Sequence, residues 1–406
     1  MSGVGRMSDA PELLAAFEAG TLLRPDPALP NLVDVSRAVA AAGGVTNVDL
    51  SPFASELAAS FAEREHLVLI LTDGLGLEML DRESAARTLR DNVRSELRTV
   101  FPSSTAVALT SLATGEWPAT HAVTGWWTHI HEIGGPATIL QFRRRSDDRS
   151  LADLGVTPEA AFPVPSLMAR LRRPSHVLMP RNVAGSVYSR YWTGGEAATG
   201  YPSMAGTYGA IMQAVMGADE PTFIYVYVPH IDNEAHHSGP ESIGARAGIV
   251  AIDRLVADLH AGLGRSTTLV VTADHGHLAV SPDDRFMIRD ATGIPALLAS
   301  PPSGDARVLE FHVRSGEHAH FEERFRASFG DRFFLLTTDE VEELRLLGPG
   351  PLSPDTRQRL GDFMAISRGD AVLGFYPSQA SRQGVRQRSH HAGLTPTEML
   401  VPLVVA

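Results

Sequence analysis

Carboxylates and imidazoles recur in this sequence at spacings that suit a metal. Asp232 and His236 stand four residues apart in Asp232-Asn233-Glu234-Ala235-His236, which puts both on one side of a helix. Asp274-His275 is an adjacent pair, His390-His391 precedes Leu394-Thr395-Pro396 near the C-terminus, and Asp73 opens Asp73-Gly74-Leu75-Gly76. Mixed Asp and His donors suit zinc, with manganese or iron as alternatives. A hydroxyl cluster, Ser103-Ser104-Thr105, precedes residues 106–115, which read as a helix closed by glycine. Such hydroxyls can simply cap the helix. The same place also offers free N–H groups and a positive dipole end to a phosphoryl oxygen. A metal beside it would generate an alkoxide nucleophile. Taken singly, each pair reads more often as a cap or a satisfied polar group than as a metal ligand; several such pairs at strand ends of one sheet reverse that.

Residues 66–72, 222–228 and 267–272 are short continuous runs of β-branched and aliphatic residues, the pattern of strands buried on both faces. Each ends at or just before an aspartate: Asp73, Asp232 and Asp274. Helical stretches separate them, such as 243–263 with Ile249, Ile252, Leu255, Val256 and Leu259 on one face. Alternating strands and helices predict a doubly wound, mostly parallel α/β sheet with helices on both faces. In such sheets ligands bind beyond the carboxyl ends of the strands, so carboxylates scattered in sequence converge there. Residues 1–60 are expected to be a helical extension packed on the core, 61–289 the catalytic α/β core, 290–379 a small α/β insertion able to cap the crevice, and 380–406 a return to the core.

Composition closes several alternatives. The chain has 406 residues, 44% of them hydrophobic, enough for a full core. All 35 basic residues are arginine and cysteine is absent, which excludes Schiff-base lysines, thiol nucleophiles and cysteine-zinc sites. A net charge of −12 argues against a nucleic-acid polymer or an acidic membrane as partner. With no long apolar run and no leader pattern in the first sixty residues, the expected location is the cytoplasm.

The order of motifs resembles the type I phosphodiesterase/nucleotide pyrophosphatase branch of the alkaline phosphatase superfamily. The pieces are Asp-Gly after the first strand, Phe-Pro-x-x-Thr (Phe101 to Thr105), Thr-Gly-x-x-Pro-x-x-His (Thr114 to His121), Asp-x-x-x-His then Gly239-Pro240, Ala273-Asp274-His275-Gly276, and His391-Ala392-Gly393-Leu394-Thr395-Pro396. The resemblance spans residue 66 to the C-terminus. It implies one metal at Asp232, His236 and His391 and another at Asp73, Asp274, His275 and the Thr105 oxygen, and it selects Thr105 over Ser103 and Ser104 as nucleophile. The implied activity is hydrolysis of a small-molecule phosphate ester through a phosphothreonine, aided by two divalent ions. Trp126 stands where nucleotide-cleaving members carry an asparagine that helps hold a phosphate oxygen, and it is the expected point of divergence in substrate choice.

A phosphomonoesterase, a phosphomutase of the same superfamily and a metal-stabilised scaffold without catalysis are the competing functions. Asp73-Gly74-Leu75-Gly76 is not a dinucleotide fingerprint, because Met79 stands at the third glycine. His129 and His131 alternate as a metal-binding strand pair would, but a substrate-facing or solvated segment is the plainer reading. His237, His277 and His390 read as surface histidines or as groups that orient ligands, and Arg143-Arg144-Arg145 with Asp147 and Asp148 as a solvated loop.

Overall fold

The three β-branched runs lie side by side at the centre of a seven-stranded sheet in the computed structural model, which describes residues 8–375 and 387–406. His66–Thr72 is flanked by Phe223–Val228 and Thr267–Thr272, both parallel to it. Thr72 pairs with Val228 and Leu71 with Thr272, so the three carboxyl ends are level. Ser175–Pro180 and Thr199–Tyr201 extend the parallel part on one side. On the other, Leu400–Val405 runs antiparallel between Thr267–Thr272 and Val93–Arg98. The central strands are buried nearly throughout, which is why they read as continuous apolar runs instead of alternating ones.

The helix Ile243–Leu263 buries the expected stripe against this sheet and starts at a Ser242 cap that accepts from the Ala245 N–H. Leu32–Ala42, Pro52–Ala62 and Thr105–Thr114 join the same core. The first helix, Ala10–Glu18, goes elsewhere: Leu13 packs with Phe334, Leu336 and Val341, and Asp9 accepts the Leu335 N–H at 2.7 Å.

That second cluster belongs to another seven-stranded sheet, in the order Phe333–Thr337, Phe363–Ser367, Val308–Phe311, Ser303–Asp305, Trp127–Ile130, Gly135–Thr138 and Arg143–Arg144. Every pairing in it is antiparallel. Four of its strands fall in the segment 290–379 expected as an insertion. The other three come from 127–144, which the sequence reading assigned to the core; a short antiparallel strand built from residues such as Trp127, Thr128 and His129 has no periodicity long enough to reveal its sheet. The boundary expected between 379 and 380 lies outside the described residues.

One ion pair joins the two layers beneath the crevice. Arg307, at the turn after Ser303–Asp305, meets Glu398 at 2.5 and 2.9 Å with both side chains fully buried. Glu398 also accepts from the Gly393 N–H at 2.8 Å and the Thr395 hydroxyl at 2.6 Å, which anchors the loop carrying His391. No helix among the described residues is long and apolar enough to cross a membrane.

Candidate active site

Three adjacent strands deliver three aspartates to one edge of the sheet. Asp73 and Asp274 follow their strands at once, and Asp232 lies in the first turn of the helix His230–Ser238, which starts two residues after Phe223–Val228. The Asp73 N–H bonds the Val228 carbonyl, and the Asp232 N–H returns to the Asp73 carbonyl at 3.1 Å, so the two loops are laced together. Gly74, at φ 78°, makes the turn between them. A Cβ there would lie 2.6 Å from His277 Nε2 and 2.9 Å from the Asp232 Cα, a space only glycine leaves open.

The helix Thr105–Thr114 begins at the same edge, with Gly115 closing it in the left-handed conformation. Ser104 makes no capping bond, so the first N–H groups of the helix are left for a ligand. Thr105 Oγ1 stands 3.0 Å from His275 Nε2 and 3.5 Å from Asp73 Oδ1. All seven residues expected at the site are brought together. Among the described residues three groups bring one donor atom from each residue within 4.8 Å of one another: Asp232 with His236 and His391, Asp73 with Asp274 and His275, and Asp232 with His275 and His277.

The donors fit divalent ions. Asp232 Oδ1 lies 3.2 Å from His236 Nε2 and 3.8 Å from His391 Nε2, yet it is buried without a hydrogen bond. Asp274 Oδ1 accepts the N–H groups of Gly74 and His275, both at 3.0 Å, while its Oδ2 has no partner. Buried carboxylate oxygens left bare are costly unless a cation meets them. Each imidazole is oriented from behind through Nδ1, which donates to a carbonyl: His236 to Ser389 at 2.9 Å, His275 to Gly276 at 3.1 Å, His391 to Ser103 at 3.1 Å. That leaves Nε2 as the free lone pair facing the carboxylates, the tautomer a metal requires.

The electrostatics agree. Burial, with the Asp274 and Asp232 carboxylates beside it, pushes Asp73 well above the usual carboxylate range, even though the Tyr227 hydroxyl donates to it. Burial also works to raise Asp232, but His236 and His277 outweigh it and hold that carboxyl well below its ordinary value. Burial, reinforced by His275 and His236, keeps the His391 imidazole neutral, far below its ordinary pKa. Burial works to lower the His236 imidazole, but Asp232 outweighs it and raises its pKa. Acidic groups crowded in one buried place are a receptor for positive charge.

The site opens into a cavity of about 670 Å³ between the two sheets, lined by Thr105, Asp232, His236 and His391 on one side and by residues of the second sheet on the other. Trp126 lines it, and its backbone N–H donates to Asp305 Oδ2 at 3.0 Å. Burial raises the Asp305 carboxyl to about 6 against that bond. Arg145 leaves the solvated loop expected for it: its guanidinium lies 3.8 Å over the Trp127 ring and donates to the Pro302 and Phe375 carbonyls. Arg143 and Arg144 pair with Asp148 and Asp147 as their mixed signs implied. His129 stacks on His312 at 3.8 Å, and neither it nor His131 joins a metal group among the described residues.

Sequence reasoning missed Tyr227 and Asp305. Tyr227 is the polar group near the carboxyl end of an otherwise apolar strand, a signal that was present. Asp305 carries no local signal; the pairing of Gly304 with Trp127 brings it in. His277, set aside as a spare imidazole, lies inside the cluster 3.1 Å from Asp232 Oδ1.

The profile of the family described as type I phosphodiesterase/nucleotide pyrophosphatase matches residues 67–392. No curated protein matches the sequence. Among solved structures, murine ectonucleotide pyrophosphatase/phosphodiesterase 5 aligns with a TM-score of 0.62 at 14% identity, covering 83% of this chain and 87% of that one. The human counterpart aligns at 0.61 and 14%, over 84% and 87%. Phosphonoacetate hydrolase from Sinorhizobium meliloti 1021 aligns at 0.57 and 18%, over 83% and 89%. These likenesses establish the fold. The profile covers most of the chain, from the first central strand through the loop of His391, and with it this protein belongs to the type I phosphodiesterase/nucleotide pyrophosphatase family of phosphoester hydrolases, within the alkaline phosphatase superfamily.

Proposed function

We propose that this chain hydrolyses a small phosphodiester or nucleotide pyrophosphate through a phosphothreonine on Thr105. In this reading Asp232, His236 and His391 hold one divalent ion, and Asp73, Asp274, His275 and the Thr105 oxygen hold another, both zinc by the chemistry of the donors. The observation that carries it is the place of Thr105 Oγ1: at a helix N-terminus, 3.0 Å from His275 Nε2, on the wall of the cavity. A threonine-to-alanine variant of the murine relative is described as inactive and as binding AMP, which supports a threonine nucleophile and a nucleotide-like ligand in this fold.

When bound, the ions would lower the pKa of the attacking hydroxyl and offset charge on the leaving oxygen. The chain supplies the rest. The N-terminal N–H groups of Thr105–Thr114 receive a non-bridging phosphoryl oxygen, where the helix dipole favours negative charge. Thr105 Oγ1 attacks phosphorus and the leaving group departs; water then attacks the phosphothreonine and frees the hydroxyl. Lacking the family's asparagine, the site places Trp126 and the Asp305 carboxylate on the opposite wall. A carboxylate there repels a dianionic monoester more than a monoanionic diester, which favours the diester reading over a phosphomonoesterase.

The test is Thr105→Ala assayed beside the wild type on a monoester, a diester and a nucleotide panel, with metal content measured on both. Turnover should vanish while metal content changes little, and the wild type should prefer diesters. Full activity in Thr105→Ala would defeat the assignment.

A further inference from the structure

Glu310 carries a fully buried carboxyl that no step above uses. It lies in Val308–Phe311, opposite Ser303 in the pairing with Ser303–Asp305. Its Oε2 accepts two hydroxyls, from Ser303 Oγ at 2.8 Å and from Thr124 Oγ1 at 3.0 Å, while Oε1 has no hydrogen-bond partner. Burial, with Asp305 adding to it, pushes this carboxyl well above its ordinary range against those two bonds. The group is therefore neutral, with its proton on Oε1 and Oε2 acting as the carbonyl that both hydroxyls address. An apolar side chain would fill the same space at lower desolvation cost, so the two hydrogen bonds are what the carboxyl contributes.

Those bonds anchor two segments of the cavity wall opposite Thr105. Thr124-Gly125-Trp126 and Ser303-Gly304-Asp305 share one order: a hydroxyl at the anchor, a glycine, then a residue that lines the cavity. The glycines pack against each other, and a Cβ on Gly125 would lie 2.6 Å from the Gly304 Cα and 3.1 Å from Asp305 Oδ2, an approach that only glycine permits. At the rim the Trp126 backbone N–H donates to Asp305 Oδ2 at 3.0 Å. Thr128 Oγ1 holds the turn of the first segment by donating to the Gly125 carbonyl at 3.1 Å. Glu310 itself has no place on the cavity wall, so it reaches a ligand only through the segments it joins.

We propose that Glu310 is a positioning residue for substrate choice: by taking the Thr124 and Ser303 hydroxyls on one oxygen, it sets Trp126 and the Asp305 carboxylate in place on the wall that meets the ester. The inference rests on the reading of Asp305 as the group that disfavours a dianionic monoester. It assigns specificity to a residue outside the cavity and leaves the metal ligands, on the other sheet, untouched.

The test is kcat/KM for p-nitrophenyl phosphate and p-nitrophenyl methyl phosphate, a monoester and a diester with the same leaving group, in the full chain loaded with Zn²⁺. Wild type is compared with Glu310→Gln, Glu310→Leu, Asp305→Asn and the double variant Glu310→Leu/Asp305→Asn, with metal content measured on each. Glu310→Gln keeps a carbonyl oxygen for both hydroxyls and should hold the monoester-to-diester ratio within about twofold of wild type. Glu310→Leu should raise that ratio by roughly 3–10-fold, the effect of losing one or two hydrogen bonds, with metal content unchanged. The double variant should go no further than Asp305→Asn alone, because Glu310 acts through Asp305. If Glu310→Leu does not fold, Thr124→Val and Ser303→Ala, which each remove one hydroxyl, should shift the ratio the same way. A wild-type ratio in those variants, both rates falling together, or an effect that adds to that of Asp305→Asn overturns this inference and leaves the Asp305 reading intact. An unchanged ratio in Asp305→Asn overturns both.

Discussion

Replacing Tyr227 by phenylalanine removes one hydroxyl that donates to Asp73. Nothing else in the ring's packing changes, so the effect reads out how far that bond steadies Asp73. The affinity for the ion at Asp73, Asp274 and His275 should fall by roughly 10–100-fold, with thermal stability close to wild type; titration against a chelator measures it, and an unchanged affinity would show that the bond orients nothing. Asp305 tests the specificity argument. Asp305→Asn keeps an acceptor for the Trp126 N–H but removes the negative charge. The ratio of monoester to diester kcat/KM should rise by about tenfold, near 1.4 kcal/mol of relieved repulsion; a constant ratio would mean that Asp305 does not face the phosphoryl group. The sequence singled out Trp126, which lines the cavity, whereas Asp305 was not legible, because a lone aspartate in a short strand has no pattern to betray it.

At the scale of elements, the site depends on two layers being held in register. Arg307 reaches from the second sheet to Glu398, which also takes the N–H of Gly393 two residues beyond His391. Arg307→Ala strands a buried carboxylate, at a cost of about 3–5 kcal/mol, and loosens the loop of His391. Unfolding by denaturant should show that loss, with weaker retention of one metal. A variant as stable as wild type would show that the layers do not rely on this pair. The central strands and their aspartates were legible because continuous apolar runs are what doubly covered parallel strands require. The second sheet was only half legible: Val308–Phe311 and Phe333–Thr337 show it, but Trp127–Ile130 joins them from more than 170 residues away through pairing at Gly304 that no local pattern encodes.

For the whole molecule, pH enters through His121, read in the sequence only as part of a motif. It is fully buried, with Nδ1 accepting the Val123 N–H and Nε2 2.9 Å from Ser111 Oγ. Burial, with Arg359 nearby, lowers its pKa to about 3 from the ordinary 6.5. The folded chain therefore resists a proton that the unfolded chain accepts below 6.5. Stability is fully present above 6.5 and falls as pH drops toward 3, at up to about 1.4 kcal/mol per unit from this group. His121→Asn should be less stable at pH 7.5 but lose less on moving to pH 5, in paired denaturant titrations. An equal loss in both proteins would remove His121 from the account.

The central claim is that Thr105 carries the phosphoryl group between two displacements. Rapid acid quench during turnover of a diester, followed by peptide mapping, measures this directly. The account predicts a phosphoryl adduct on Thr105, at a level that saturates with substrate and is absent from Thr105→Ala. Steady turnover with no adduct on Thr105 in the wild type, or an adduct on Ser103 or Ser104, would contradict it.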